Sequence, residues 1–505
     1  MVKGRSLGRL FFLISRVSYS NDEDKREQAI YIYFMLLKLR VRLNLHNEHL
    51  PARASIVKLQ IEQKFKGRRY VFMPKITFMG AGSTVFAKNL IGDCLVTPAL
   101  RESEFALYDI DLKRLKESEQ MLNAINNNTG GYGKIVAYTD RKEALRNADY
   151  VINAIQVGGY EPCTVTDFEV PKKYGLRQTI GDTIGIGGIF RALRTIPVLE
   201  DFARDMEEVC PDAWFLNYTN PMSILTGYMQ RYTGIKTVGL CHSVQVCAEN
   251  LLKHLDMPTD RIQWKIAGIN HMAWLLEITR DGVDLYPEIK QRAAQKQKEG
   301  KHWDMVRYEI MFNFGYYVTE SSEHNAEYMP YFIKSRYPEL IDKLNIPLDE
   351  YPRRCVAQIQ GWERLRDHLV ENPTLSHTRT REYGSYIMEA METDQPYKIG
   401  GNVINNGVIT NLPREACVEV PCLVDASGIA PCYVGALPPQ LAALNMTNIN
   451  VHLLTIEAAV TRKKEHIYHA AMLDPHTSAE LSIDDIKSLC DDLIEAHGDW
   501  LPKFN

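Results

Sequence analysis

The chain is short of cysteine patterns, one-sided charge and long apolar runs, and each shortage removes a class of protein. Its 505 residues include ten scattered cysteines, none in a Cys-x-x-Cys pair. That excludes a disulfide scaffold and makes a reducing cytoplasm the expected compartment. The formal net charge is only −4, so no basic footprint for nucleic acid or an anionic membrane exists. No stretch approaches the roughly 20 apolar residues that span a bilayer. The longest run near the start, Ile30 to Leu37, has eight. Internal repeats and low-complexity tracts are missing too. What remains is 45% apolar and 24% charged, the profile of a large globular protein with two domains.

The charge is unevenly spread. Residues 1–72 carry 15 Lys/Arg against 6 Asp/Glu, and the rest of the chain carries 44 against 57. This basic opening has a short apolar patch, Leu10 to Ile14, but no small-residue cleavage site of a targeting peptide. Met73-Pro74-Lys75-Ile76 would open a first strand directly. Two readings stand: 1–72 is translated leader ahead of a start at Met73, or a real but dispensable arm. The purine-rich coding that Lys66-Gly67-Arg68-Arg69 permits, spaced like a ribosome site, suits the first. A native N-terminus before residue 60, read by mass spectrometry, would exclude it.

From Lys75 the chain alternates short β-branched or aromatic runs with helical stretches. Strands are expected at Lys75–Met79, Glu104–Tyr108, Lys134–Tyr138, Tyr150–Ala154, Ala213–Tyr218 and Thr237–Leu240. Helices are expected at Lys113–Asn126 and Ile189–Val209. This alternation predicts an α/β fold, a doubly wound parallel sheet over 73–245. After about residue 245 the helices lengthen, with a strand at Ala416–Val424 and mostly helix over Leu441–Ala470. An α+β domain over 246–505 is expected.

The first strand runs into Gly80-Ala81-Gly82-Ser83-Thr84. The first Gly permits a tight turn, and the second lets the backbone approach a pyrophosphate at the next helix's N-terminus. Val85 stands where a third Gly is usual, and the second strand ends in Asp109, placed to bond a ribose. A Rossmann domain binding NAD through Gly80, Gly82, Ser83 and Asp109 is the expectation, the carboxylate favouring NAD over NADP. Ala148-Asp149-Tyr150-Val151-Ile152 resembles the fourth strand of lactate and malate dehydrogenases, so a 2-hydroxyacid dehydrogenase enters as an alternative. No substrate Arg with a His–Asp pair supports it.

The sixth strand delivers Cys241-His242-Ser243, and Gly268-Ile269-Asn270-His271-Met272-Ala273-Trp274 follows thirty residues past Cys241. Ligands bind beyond the carboxyl ends of such strands. By itself Cys241 reads first as a buried core residue. Together, Gly-Ala-Gly-Ser, Tyr108-Asp109-Ile110-Asp111, Asn220-Pro221, Cys241 and Asn270-His271 resemble glycoside hydrolase family 4 in order and spacing. The resemblance runs from Met73 to the C-terminus. The runs Gln156–Thr164, Gly315–His324 and His497–Pro502 resemble the family's bacterial α-galactosidase branch.

The resemblance implies a Rossmann domain followed by an α+β catalytic domain of the lactate/malate dehydrogenase-like type, in a homodimer or homotetramer. It implies NAD- and Mn²⁺-dependent hydrolysis of small α-galactosides such as melibiose or raffinose. NAD oxidises C3 of the sugar, a base removes the C2 proton, the aglycone leaves, water adds, and C3 is reduced again. An α-glucosidase or α-galacturonidase of the family is the nearer alternative. Cys241 and His271 match the metal ligands, although thiolate and imidazole alone suit Zn²⁺ or Fe²⁺. Asn220 matches the substrate-binding Asn, and Asp182 the acidic residue that supports the base. Read without the family, Asn220 is a turn before Pro221 and Asp182 a loop residue or helix cap in a Gly-rich turn.

Two departures stand out. His242 replaces the Asp that serves as general acid in the phospho-glycosidases, and imidazole can donate a proton near neutral pH. No Arg for a sugar phosphate lies between Tyr160 and Leu176, which points to an unphosphorylated sugar. The base belongs within Tyr316–Glu323. Ser321 falls at the aligned position, where a Ser cannot serve unaided, so flanking Tyr317 and Glu320 are the candidates.

Overall fold

The computed structural model describes residues 73–505; the expected leader or arm over 1–72 lies outside the described residues. Six strands come first: β1 (Lys75–Met79), β2 (Glu104–Tyr108), β3 (Lys134–Tyr138), β4 (Tyr150–Asn153), β5 (Trp214–Asn217) and β6 (Lys236–Leu240). All pair in parallel in the order 3-2-1-4-5-6. That is the doubly wound dinucleotide-binding order, with its topological switch between β1 and β4. Helices cover both faces, so β1 and β4 are buried almost end to end rather than on alternate residues. The α/β expectation holds.

The remaining strands are β7 (Ile262–Ile269), β8 (Met272–Arg280), β9 (Val283–Asp284), β10 (Tyr317–Val318), β11 (Tyr397–Ile404), β12 (Cys417–Asp425) and β13 (Gly428–Pro431). They pair antiparallel and join the same sheet through β6 and β11, where Leu240 faces Gly401 and Gly239 faces Asn402. From there the ladder continues through β12, β7, β8 and β10. One sheet thus carries both halves.

Helix ends follow local chemistry. The helix Leu112–Asn128 starts earlier than expected because the Asp111 side chain accepts the Lys113 and Arg114 amides. The helix Gly185–Val209 takes in the glycines ahead of Ile189. A Cβ on Gly187 would sit 2.3 Å from Gly181 O, and one on Gly188 2.5 Å from the Thr183 carbonyl carbon. Only glycine lets the 181–183 loop, with Asp182, lie this close to the helix. The last long stretch divides into helices Pro439–Thr461 and Lys464–Leu473, with Arg462 between them in the left-handed region.

Candidate active site

The cofactor end is built on the β1 turn. Gly80 has φ 88°, and the Gly80 and Ala81 amides both donate to Tyr108 O at 3.0 Å. A Cβ on Gly80 would lie 2.8 Å from Ala154 O, and one on Gly82 2.7 Å from Asp109 Oδ2. Backbone thus bars a side chain at Gly80, and one at Gly82 would have to push the Asp109 carboxylate aside. Gly82 N–H donates to Asp109 Oδ2 at 2.6 Å, and Asp111 N–H to Oδ1 at 2.8 Å. Exposed Ser83 opens the helix Thr84–Val96 without capping it by its own side chain. A side-chain-free turn, a helix N-terminus and a carboxylate at the end of β2 fit a dinucleotide.

The second centre lies beyond β6. Cys241 directly follows that strand, and His271 occupies the two-residue turn between β7 and β8, at φ 62°. Asn445, on the helix Pro439–Thr461, steadies this hairpin. It donates to Met272 O at 2.8 Å and accepts from Trp274 Nε1 at 3.1 Å. β10 pairs with β8, and Thr319 N–H donates to Ala273 O at 2.9 Å, which brings Glu320 alongside His271. The Cys241 Sγ lies 3.3 Å from His271 Nε2, and a Glu320 carboxylate oxygen 3.8 Å from the same nitrogen. All three donors fall within 4.8 Å of one another.

Charge explains what this trio can hold. Burial opposes a charged His271, but Cys241 and Glu320 outweigh it and push the imidazole up to about 10. Burial likewise opposes the Glu320 charge, while His271, His324 and Arg307 hold its carboxyl below the ordinary range. A divalent cation would replace the proton between these groups. Thiolate and imidazole suit a transition metal, and the Glu320 carboxylate beside them offsets its charge. The residues fit.

Asp182 and Asn220 come together beside this centre. Asn220 Nδ2 donates to Asp182 Oδ2 at 3.2 Å, and Thr183 Oγ1 to Asp182 Oδ1 at 2.7 Å. Burial acts to raise the Asp182 pKa, yet Arg191 and His324 hold it below normal. Asp182 is no helix cap: the N-cap position belongs to Ile184. His242 opens the helix His242–His254, half-exposed, with Nε2 2.7 Å from Glu382 Oε2. That hydrogen bond raises the imidazole's pKa against the effect of burial.

Tyr317 needs correcting as a candidate base. Its ring is buried, its hydroxyl donates to Asp304 Oδ2 at 2.5 Å, and Arg307 sits 4.6 Å above the ring. Burial pushes the phenol well above its usual range. A hydroxyl held this way is no proton acceptor.

Sequence reasoning missed three groups, Glu327, His324 and Glu419. Buried Glu327 and His324 stand behind His271, and Glu382 stands behind His242. Glu419 accepts from Asn402 Nδ2 at 2.9 Å and Asn270 Nδ2 at 3.4 Å, and burial pushes it up to about 7. Only His324 had a signal, as the last residue of the Gly315–His324 run.

Comparison with known proteins bears on this geometry. Residues 75–257 match the family 4 glycosyl hydrolase domain, and residues 266–477 the family 4 glycosyl hydrolase C-terminal domain. An alpha-galactosidase of Bacillus subtilis (strain 168) is 69% identical over 432 residues, covering 86% of this chain and all of that protein. An alpha-galactosidase of Rhizobium meliloti (strain 1021) is 34% identical, covering 85% and 89%. The crystal structure of a 6-phospho-beta glucosidase from Thermotoga maritima, with manganese, NAD⁺ and glucose-6-phosphate, superposes with a TM-score of 0.69. It is 21% identical and covers 85% of this chain and 100% of that one, a likeness of fold.

Proposed function

The chain belongs to the family 4 glycosyl hydrolases, and on that premise we propose that it is an NAD- and Mn²⁺-dependent α-galactosidase. One observation carries the reading: Cys241 and His271 converge beside the Glu320 carboxylate in a chain that also builds a glycine cradle for a dinucleotide. The 69% identity to an alpha-galactosidase supports the sugar. The lack of an Arg between Tyr160 and Leu176 supports an unphosphorylated one. Melibiose and raffinose are the proposed substrates.

NAD bound at the cradle supplies reversible oxidation at C3, and the metal supplies Lewis-acid stabilisation of charge on the neighbouring oxygens. Gly80, Gly82, Ser83 and Asp109 bind the cofactor; Cys241 and His271 hold the metal. Asn220 binds the sugar, with Asp182 orienting its amide. Glu320 takes the C2 proton, its low pKa keeping it ionised at neutral pH. His242, its charged form favoured by the hydrogen bond to Glu382, gives a proton to the departing oxygen. The 73–245 half supplies the cofactor cradle with Asp182, Asn220, Cys241 and His242, and the 246–505 half adds His271 and Glu320.

A reducing cytoplasm suits a site built on a thiolate, and all ten cysteines are free. Among the described residues no helix is long and apolar enough to cross a membrane.

The test is nitrophenol release from p-nitrophenyl α-galactoside under reducing conditions, with and without NAD⁺ and Mn²⁺. The expected result is turnover that needs both. Faster turnover of the α-glucoside or α-galacturonide would reassign the sugar. Silence on every glycoside, with NADH formed steadily from a hydroxy acid, would overturn the reaction class.

A further inference from the structure

His271 has a second nitrogen, and what lies behind it is better ordered than a packing role requires. Its Nδ1 is 2.9 Å from His324 Nε2, and His324 Nδ1 is 2.8 Å from Glu327 Oε1. Glu327 also accepts three consecutive backbone amides: Thr179 at 2.9 Å, Ile180 at 3.0 Å and Gly181 at 2.9 Å. All of these side chains are buried, and the Tyr328 ring packs edge-on against His324 at 5.1 Å. The surrounding amides and His324 favour an ionised Glu327, although burial opposes it.

An ionised carboxylate only accepts, so His324 Nδ1 carries the hydrogen. With a metal on His271 Nε2, the hydrogen in the 2.9 Å contact between the two rings would sit on His271 Nδ1, and His324 Nε2 would accept it. The remaining nitrogen of His271, Nε2, faces Cys241 and Glu320.

We propose that Glu327 and His324 form a relay that fixes His271 as an Nδ1–H donor and so reserves Nε2 for the metal. Ligating histidines are commonly oriented this way by a carboxylate or carbonyl on their other nitrogen. Here the carboxylate acts through a second imidazole. The same Glu327 ties down 179–181, the segment that leads into Asp182. One buried side chain therefore sets the register of a metal ligand and of the loop that carries Asp182. His324 and Glu327 are positioning residues; neither touches substrate.

The inference rests on the metal centre proposed above, so the experiment separates the two. Mn²⁺ binding to the NAD-loaded chain is titrated by the loss of the free-ion EPR signal. Equal binding by wild type and Cys241→Ser would sink the metal centre itself. With that centre standing, His324→Phe keeps a ring but cannot accept, and should weaken Mn²⁺ binding by roughly 10- to 100-fold. His324→Gln restores an acceptor oxygen and should recover most of the loss. NAD⁺ affinity should stay unchanged in both. Wild-type Mn²⁺ affinity in His324→Phe, or a Gln variant no better than Phe, would overturn the relay. Should neither variant fold, ¹⁵N-histidine NMR of the Zn²⁺-loaded wild type decides. The relay requires the hydrogen of His324 on Nδ1, and the opposite tautomer would refute it.

Discussion

The Gly82 amide donates to Asp109 Oδ2 at 2.6 Å, so the glycine turn and the ribose carboxylate form one hydrogen-bonded unit. A methyl group on Gly82 would strike that carboxylate oxygen at 2.7 Å and crowd Arg114 Cβ at 3.1 Å. Gly82→Ala should therefore weaken NAD⁺ binding about tenfold or more, on the order of 1.4 kcal/mol. Mn²⁺ binding should be untouched. Fluorescence titration with NAD⁺ reads the effect, and wild-type affinity would remove Gly82 from the cofactor site.

Glu320 is separable from the two ligands it accompanies. Glu320→Gln keeps the shape but loses the proton acceptor, so kcat should fall by roughly 10²- to 10⁴-fold. Mn²⁺ affinity should change by less than about tenfold, below the span usual for losing a group that orients a ligand. Steady-state rates and EPR titration on the same preparation check both. A collapse in metal affinity would make Glu320 a ligand first.

His242 is tested through the leaving group. A general acid matters most when the departing oxygen is a poor leaving group. His242→Ala should slow melibiose hydrolysis far more than nitrophenyl α-galactoside hydrolysis. Equal slowing of both substrates would reduce His242 to a sugar contact.

Acid stability should report on His452, buried in the helix Pro439–Thr461. Burial lowers its pKa from 6.5 to about 4, so the native state binds fewer protons than the unfolded chain between those values. Stability is then full above pH 6.5 and is lost as pH falls toward 4. The shift corresponds to roughly 3 kcal/mol. Denaturant melts across pH 4–7 should show a shallower slope for His452→Gln. An unchanged slope would clear His452.

The parallel half was readable residue by residue, because strands covered on both faces read as near-continuous apolar runs. β1, β2 and β3 lie at the expected positions, β4 and β6 differ by a residue at one end, and β5 is a residue shorter at each end. The β7–β8 hairpin was not read as strands, although its turn, Asn270-His271, had been singled out. Its pairing is non-local, and residues on one strand signal nothing about β10 or β12. The site divided the same way. Gly80, Gly82, Asp109 and Cys241 announce themselves by following strands. Glu327 and His324 gain meaning only once the chain folds 179–181 and His271 onto them. Tyr317 misled because a tyrosine's chemistry depends on what its hydroxyl meets, and that partner, Asp304, is thirteen residues away.

The pairing of β6 with β11 has a mechanical side. Leu240 and Gly239 are stitched to Gly401 and Asn402 at the seam from which Cys241 emerges. Backbone ladders resist shear and bending across their strands. The halves cannot swing apart as rigid jaws without tearing that ladder, and tearing it would displace the thiolate. Admission of sugar and escape of galactose must then be the business of loops, and heating should melt both halves in a single step.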